Sequence, residues 1–129
     1  MNATDILNNA RNIIISNIVD LVRKIDAFLS TGDKKLKTAD NQEAFLDERS
    51  FPALSRIPAI SVEVEDPYTD EYYDEEHHIT EIAVSESGEL CITAKAEFAD
   101  YADEVDVDDI YTDDLARIAK FLETEYRKM

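Results

Sequence analysis

A chain of 129 residues, 44% of them hydrophobic, has the size of one domain and enough apolar side chains for a core, so wholesale disorder is excluded. Thirty acids against thirteen bases give a net charge of −17, a field that repels nucleic acid and anionic membranes and attracts basic proteins and cations. There is no apolar run of bilayer length, no secretory leader is expected, and the single cysteine, Cys91, cannot form an internal disulfide. These features lead to the expectation of a cytoplasmic protein without membrane contact or direct nucleic-acid binding.

The charge is segregated. Residues 1–56 hold eight acids and eight bases, and residues 112–129 hold four of each. The whole excess falls in residues 57–111, where eighteen acids face one base, Lys95.

Residues 4–29 read as a long amphipathic helix. Leu7, Ala10, Ile14, Ile18, Leu21, Val22, Ile25, Phe28 and Leu29 recur at helical spacing, and Asn9, Asn12, Ser16, Asp20, Arg23 and Ala27 mark the opposite side. Asn2 or Thr4 is the expected N-cap, and Gly32 the stop. Ile6, Ile13, Ile15 and Val19 widen the stripe beyond what one sheet needs, which offers a homodimer contact through this helix. Residues 31–50 form a polar linker, with a helical turn over Gln42 to Asp47 that points Phe45 and Leu46 inward.

Strands follow at about 59–65, 78–85, 89–98 and, in a shorter form, 103–108. Ile60, Val62 and Val64 alternate with Ser61, Glu63 and Glu65 in the first, and residues 66–76 form an acidic loop. The next two make a hairpin around Gly88, which occupies the left-handed position of a three-residue turn. That turn pairs Val84 with Leu90, Ile82 with Ile92 and Thr80 with Ala94 on one apolar face. In this register His77 and Cys91 share the polar face and His78 the apolar one. A last helix over 113–127 carries Leu115, Ile118, Ala119, Leu122 and Tyr126 inward, with Thr112 as N-cap. The expected fold is α+β, with a long N-terminal helix, a three- to four-stranded antiparallel meander and a C-terminal helix, both helices on one sheet face.

No catalytic residue or cofactor is expected. Calcium loops starting at Asp66 or Asp100 lack oxygen ligands and glycine at the required positions. Cys91 has no glycine-rich elbow or helix N-terminus beside it, and no phosphate-binding glycine loop exists. The Asp66–His78 cluster is dense in ligand types, so a cation-binding protein or metal enzyme is the alternative reading. Adjacent histidines on a strand point apart, however, and zinc needs about four N or S ligands.

Partner binding fits best. Tyrosines interleaved with acids combine large contact area with steering of a basic partner. The expected surface comprises Glu63, Glu65, Tyr68, Asp70, Glu71, Tyr72, Tyr73, Asp74, Tyr101, Asp103 and Asp106, facing a basic protein in the manner of a DNA mimic or an immunity protein.

Overall fold

The computed structural model describes residues 3–35 and 37–129, and in it the chain is α+β. Helix α1 (Ala3–Thr31) precedes a curled antiparallel sheet of β1 (Ala44–Asp47), β2 (Ile60–Glu65), β3 (Tyr72–Val84), β4 (Leu90–Ala96) and β5 (Asp103–Val105). Helix α2 (Thr112–Lys128) follows, and the helices pack on the sheet, as expected. The cap expected of Asn2 or Thr4 lies outside the described residues and side chains. Among the described residues no helix is long and apolar enough to cross a membrane.

The buried face of α1 is Ile18, Val22 and Ile25, packed with Leu115, Ile118 and Leu122 of α2 and the inner face of the sheet. Burying these side chains is the main stabilising term, at about 25 cal/mol per Å² of apolar surface. Arg23 and Ala27 are buried too, against expectation. The cause is tertiary: the Arg23 guanidinium reaches two carbonyls, donating from Nε to Gln42 (2.7 Å) and from Nη2 to Ser85 (3.3 Å). It thereby ties the start of β1 to the β3–β4 turn. Ile6, Leu7 and Ile13 stand exposed on the first half of α1. The helix stops at Gly32, whose φ of 71° lets its N–H reach the Phe28 carbonyl at 2.7 Å.

Strand β1 replaces the helical turn expected within the linker. It pairs with the C-terminal half of β3, Ala44 opposite Val84 and Leu46 opposite Ile82. Strand alternation buries Ala44 and Leu46 and turns Phe45 outward, not inward. Four residues carry too short a pattern to announce this pairing.

Strand β3 begins at Tyr72, not at residue 78, so the expected loop shrinks to a turn over residues 66–71. Within that turn the Asp66 N–H donates to the Glu71 carbonyl (2.7 Å) and the Asp70 N–H to the Asp66 carbonyl (3.0 Å). Asp70 takes a left-handed φ of 58°, which aspartate tolerates better than most residues. Val62 and Val64 recruit the polar run as a partner strand through the pairs Val62–Glu75 and Val64–Tyr73.

The β3–β4 turn has the expected form. Gly88 has φ 83°, its N–H donates to the Ser85 carbonyl, and Val84 pairs with Leu90 and Ile82 with Ile92. The expected Thr80–Ala94 pair does not form. Ile79 pairs with Ala94, and Thr80 is the extra residue of a β-bulge, its hydroxyl donating to the Thr93 carbonyl at 3.3 Å. The bulge buries Ile79 on the face of Ile82 and Val84, although its parity is opposite. It also exchanges the histidines. His77 lies opposite buried Ile60, on the inner face, and His78 lies on the other.

Beyond the hairpin, β4 ends at Ala96 instead of 98 and β5 covers only Asp103–Val105 before a 3-10 turn, Val107–Asp109. Thr112 is the first residue of α2 instead of its cap, and its hydroxyl accepts from Arg11 at 3.2 Å. Arg11 also donates to the carbonyls of Ile110 (2.7 Å) and Val107, fastening the acidic segment to α1.

Each edge strand on this side of β3 has one outward N–H taken by a helix carboxylate. Buried Asp114 of α2 accepts the Ser61 N–H at 2.9 Å and the Arg117 guanidinium at 2.7 Å. Asp26 of α1 accepts the Phe45 N–H, a bond that draws its carboxyl down, while burial, the larger effect, pushes it up. Replacing Asp114 by alanine orphans the Ser61 N–H and is expected to cost about 2 kcal/mol in urea unfolding, with faster amide exchange at Ser61. An unchanged midpoint would show that the bond does not hold the edge.

Candidate functional site

Two turns lie at one end of the sheet. Tyr72 opens β3 opposite Glu65, and β4 ends at Ala96 opposite His77. The turns over 66–71 and 97–102 therefore leave the sheet in the same direction. Both present aromatic side chains to solvent. Tyr68 is 95% exposed, Phe98 92%, Tyr101 81%, Tyr72 63% and Tyr73 50%.

The acids expected at this surface are also exposed, namely Glu63, Glu65, Asp70, Glu71, Asp74, Asp103 and Asp106. Among the described residues none of them takes part in an ion pair. Some acids elsewhere are paired, as Asp20 is with Lys24 at 2.9 Å and Glu123 with Arg127 at 2.5 Å. Glu63 and Asp74 stand directly opposite each other across β2 and β3. Like charges so placed destabilise a sheet, typically by a few tenths of a kcal/mol up to ~1.

The sheet's curl joins parts of this surface that are far apart in sequence. A groove of about 640 Å³ has Glu63 and Tyr72 on one side and Asp103 and Asp106 on the other. Tyr111 also lines it, with its hydroxyl donating to Asp74 Oδ1 at 2.8 Å; that bond, foremost, holds the phenol above its ordinary ionisation range. Tyr68, Asp70, Glu71 and Tyr101 do not line the groove. Asp106 Oδ1 accepts the Asp108 N–H at 3.0 Å and so caps its own 3-10 turn.

Tyr111 belongs to this end of the molecule and has no signal in the sequence, whereas Phe98 is expected within a strand and Glu76 within the acidic loop. Phe98 continues the alternation of β4 by one period, and nothing local says that the strand has stopped. Glu76 sits in an acid run with no visible strand pattern.

The Asp66–His78 cluster is divided by the strand. His77 Nε2 lies 2.9 Å from Glu75 Oε1, and His78 Nε2 lies 2.9 Å from Glu48 Oε1. Asp66 Oδ1 accepts the Tyr68 N–H at 2.8 Å. Among the described residues no three His, Cys, Asp or Glu side chains converge as metal ligands.

A broader hollow of about 1160 Å³ crosses the strand ends, with Phe45, Ala83, Cys91 and Glu104 among its walls. Burial pushes the Cys91 thiol up, and Glu104, Glu81 and Glu89 add to the shift. A thiol pushed up has less thiolate at neutral pH, and thiolate is the nucleophile. Alkylation of Cys91 by iodoacetamide should therefore run slower at pH 8 than that of a free-cysteine peptide. Its rate should keep climbing past the ordinary value of 9.0, and Glu104→Gln should move the profile to lower pH. A rate at pH 8 equal to the peptide's would contradict this.

No family model, no curated protein and no solved structure matches this chain.

Proposed function

We propose that the protein is a non-enzymatic interaction or inhibitor module that engages a basic protein surface through its acidic, tyrosine-bearing end, as a DNA mimic or an immunity protein does. The observation that carries this reading is the Glu63–Asp74 pair, with its unpaired neighbours. A sheet selected for stability alone would place a lysine across from one of them. Exposed tyrosines beside such acids supply contact area at low entropic cost.

The test compares wild type with the triple variant Glu63→Gln, Asp74→Asn, Asp103→Asn as bait at roughly 50 mM and 300 mM salt. A defined basic partner should be held by wild type at low salt and bind the variant at least about tenfold more weakly, a loss of ~1.4 kcal/mol. For a DNA mimic, duplex DNA competes with the interaction. A partner that binds both forms alike and ignores salt overturns the proposal.

A second reading rests on exposed Ile6, Leu7 and Ile13. The N-terminal half of α1 carries almost no net charge, so two copies of a strongly acidic chain can meet there with little repulsion. Light scattering near 100 µM, a concentration that populates a weak dimer, should then show dimers that Ile13→Glu disperses. A monomer at every concentration removes this reading.

A further inference from the structure

Strand β3 is longer than its neighbours, and the excess leaves a bare edge. Residues 72–77 pair with β2 on one side. On the other side β4 pairs only with residues 77–84 and then ends at Ala96. From Tyr72 to Glu76 the strand therefore has a ladder on one side only.

The pairing pattern identifies the free groups. The Ser61 N–H points out of the sheet to Asp114, and the Asp66 N–H bonds the Glu71 carbonyl in the same ladder series. Odd-numbered residues of β2 therefore form the non-hydrogen-bonded pairs, Ser61–Glu76, Glu63–Asp74 and Glu65–Tyr72. In such pairs the backbone groups of both residues point away from each other. The N–H and C=O of Tyr72 and Asp74 thus face the lane that β4 has vacated, and those of Glu76 lie at its mouth, next to the last β3–β4 pair, His77–Ala96. The neighbouring turn closes on itself, its Ala99 N–H donating to the Ala96 carbonyl at 3.2 Å.

The geometry points to addition of an extended, lysine- or arginine-rich segment of a partner protein to this edge, in line with β4. This rests on the acidic-surface reading above and specifies its partner. An open strand edge recruits another strand through backbone hydrogen bonds, while flanking side chains choose which strand. Here Asp74, Glu75 and Glu76 lie on the edge itself, and Glu97, Asp100 and Asp103 on or just past the adjoining turn. A second copy of the same edge would set like charges against one another. A basic strand meets opposite charges, and exposed Phe98 and Tyr101 offer ring faces to its cations.

The probe is a synthetic peptide of about eight alternating Lys and Val residues, near the usual strand length, titrated into the full chain and read by amide exchange. Binding should slow exchange at Tyr72, Asp74 and Glu76 by about tenfold, and N-methylation of alternate peptide residues should weaken binding by at least about tenfold. Glu76→Gln and Glu76→Pro remove the same charge, but only proline removes the edge N–H, so the proline variant alone should lose the protection. Binding that ignores N-methylation and leaves those amides unprotected overturns strand addition while leaving a purely electrostatic acidic surface intact. Protection at Glu63 and Glu65 instead puts the strand on the outer edge of β2 and likewise overturns the assignment. If no basic partner or peptide binds at low salt at all, the underlying reading fails as well.

Discussion

The register of β3 constrains everything around it. Ile79 has one parity and Ile82 and Val84 the other, yet all three must face the core. A regular strand cannot do this, because its side chains alternate strictly. One extra residue at Thr80 resolves the conflict, and its hydroxyl donates to the Thr93 carbonyl across the irregularity. From that point back to Tyr72 every face is exchanged relative to a regular hairpin. His77 therefore turns inward opposite Ile60, and Asp74 comes to lie beside Glu63 in a close, non-hydrogen-bonded pair. The geometry of the acidic end thus follows from a packing requirement in the core.

Charge does two kinds of work in this fold. Carboxylates within the core layers are given donors: Asp114 takes the Ser61 N–H and the Arg117 guanidinium, and Asp26 takes the Phe45 N–H. Each of those bonds occupies one outward N–H of an edge strand, which narrows the edge left open to pairing. The exposed carboxylates around Glu63, Asp74 and Asp103 have no cationic partner among the described residues, and Asp74 takes only the neutral Tyr111 hydroxyl. Repulsion within that group must be offset by burial elsewhere, chiefly where α1 and α2 meet the sheet through Ile18, Val22, Leu115 and Ile118. Arg11 joins the two regimes, holding residues 107–112 against the neutral helix by backbone carbonyls without neutralising their acids.

Much of the candidate surface could be read from residue types, because exposure of a tyrosine among acids is a local matter. Tyr68 and Tyr101 lie in turns, and turns lie on the surface. Tyr111 and the exposure of Phe98 could not be read that way. Tyr111 reaches Asp74 only because α2 starts beside the edge of β2, and Phe98 is exposed only because β4 stops two residues before it. The groove between Glu63 and Asp103 depends on the curl of the sheet, which no short stretch of residues encodes.

By itself the sequence determined what rests on interactions between near neighbours. The period of α1 and its stop at Gly32, the Gly88 turn with its first two cross-strand pairs, the α+β order and the confinement of net charge to residues 57–111 are all of this kind. Tertiary structure alone decided the recruitment of residues 44–47 and 72–76 as strands, the bulge at Thr80, the burial of Arg23 and the exchange of faces between His77 and His78. In each of these, long-range hydrogen bonding and burial override weak or contrary local preference. A strand's propensity is set largely by the surface it packs on, and that surface exists only once the chain has folded.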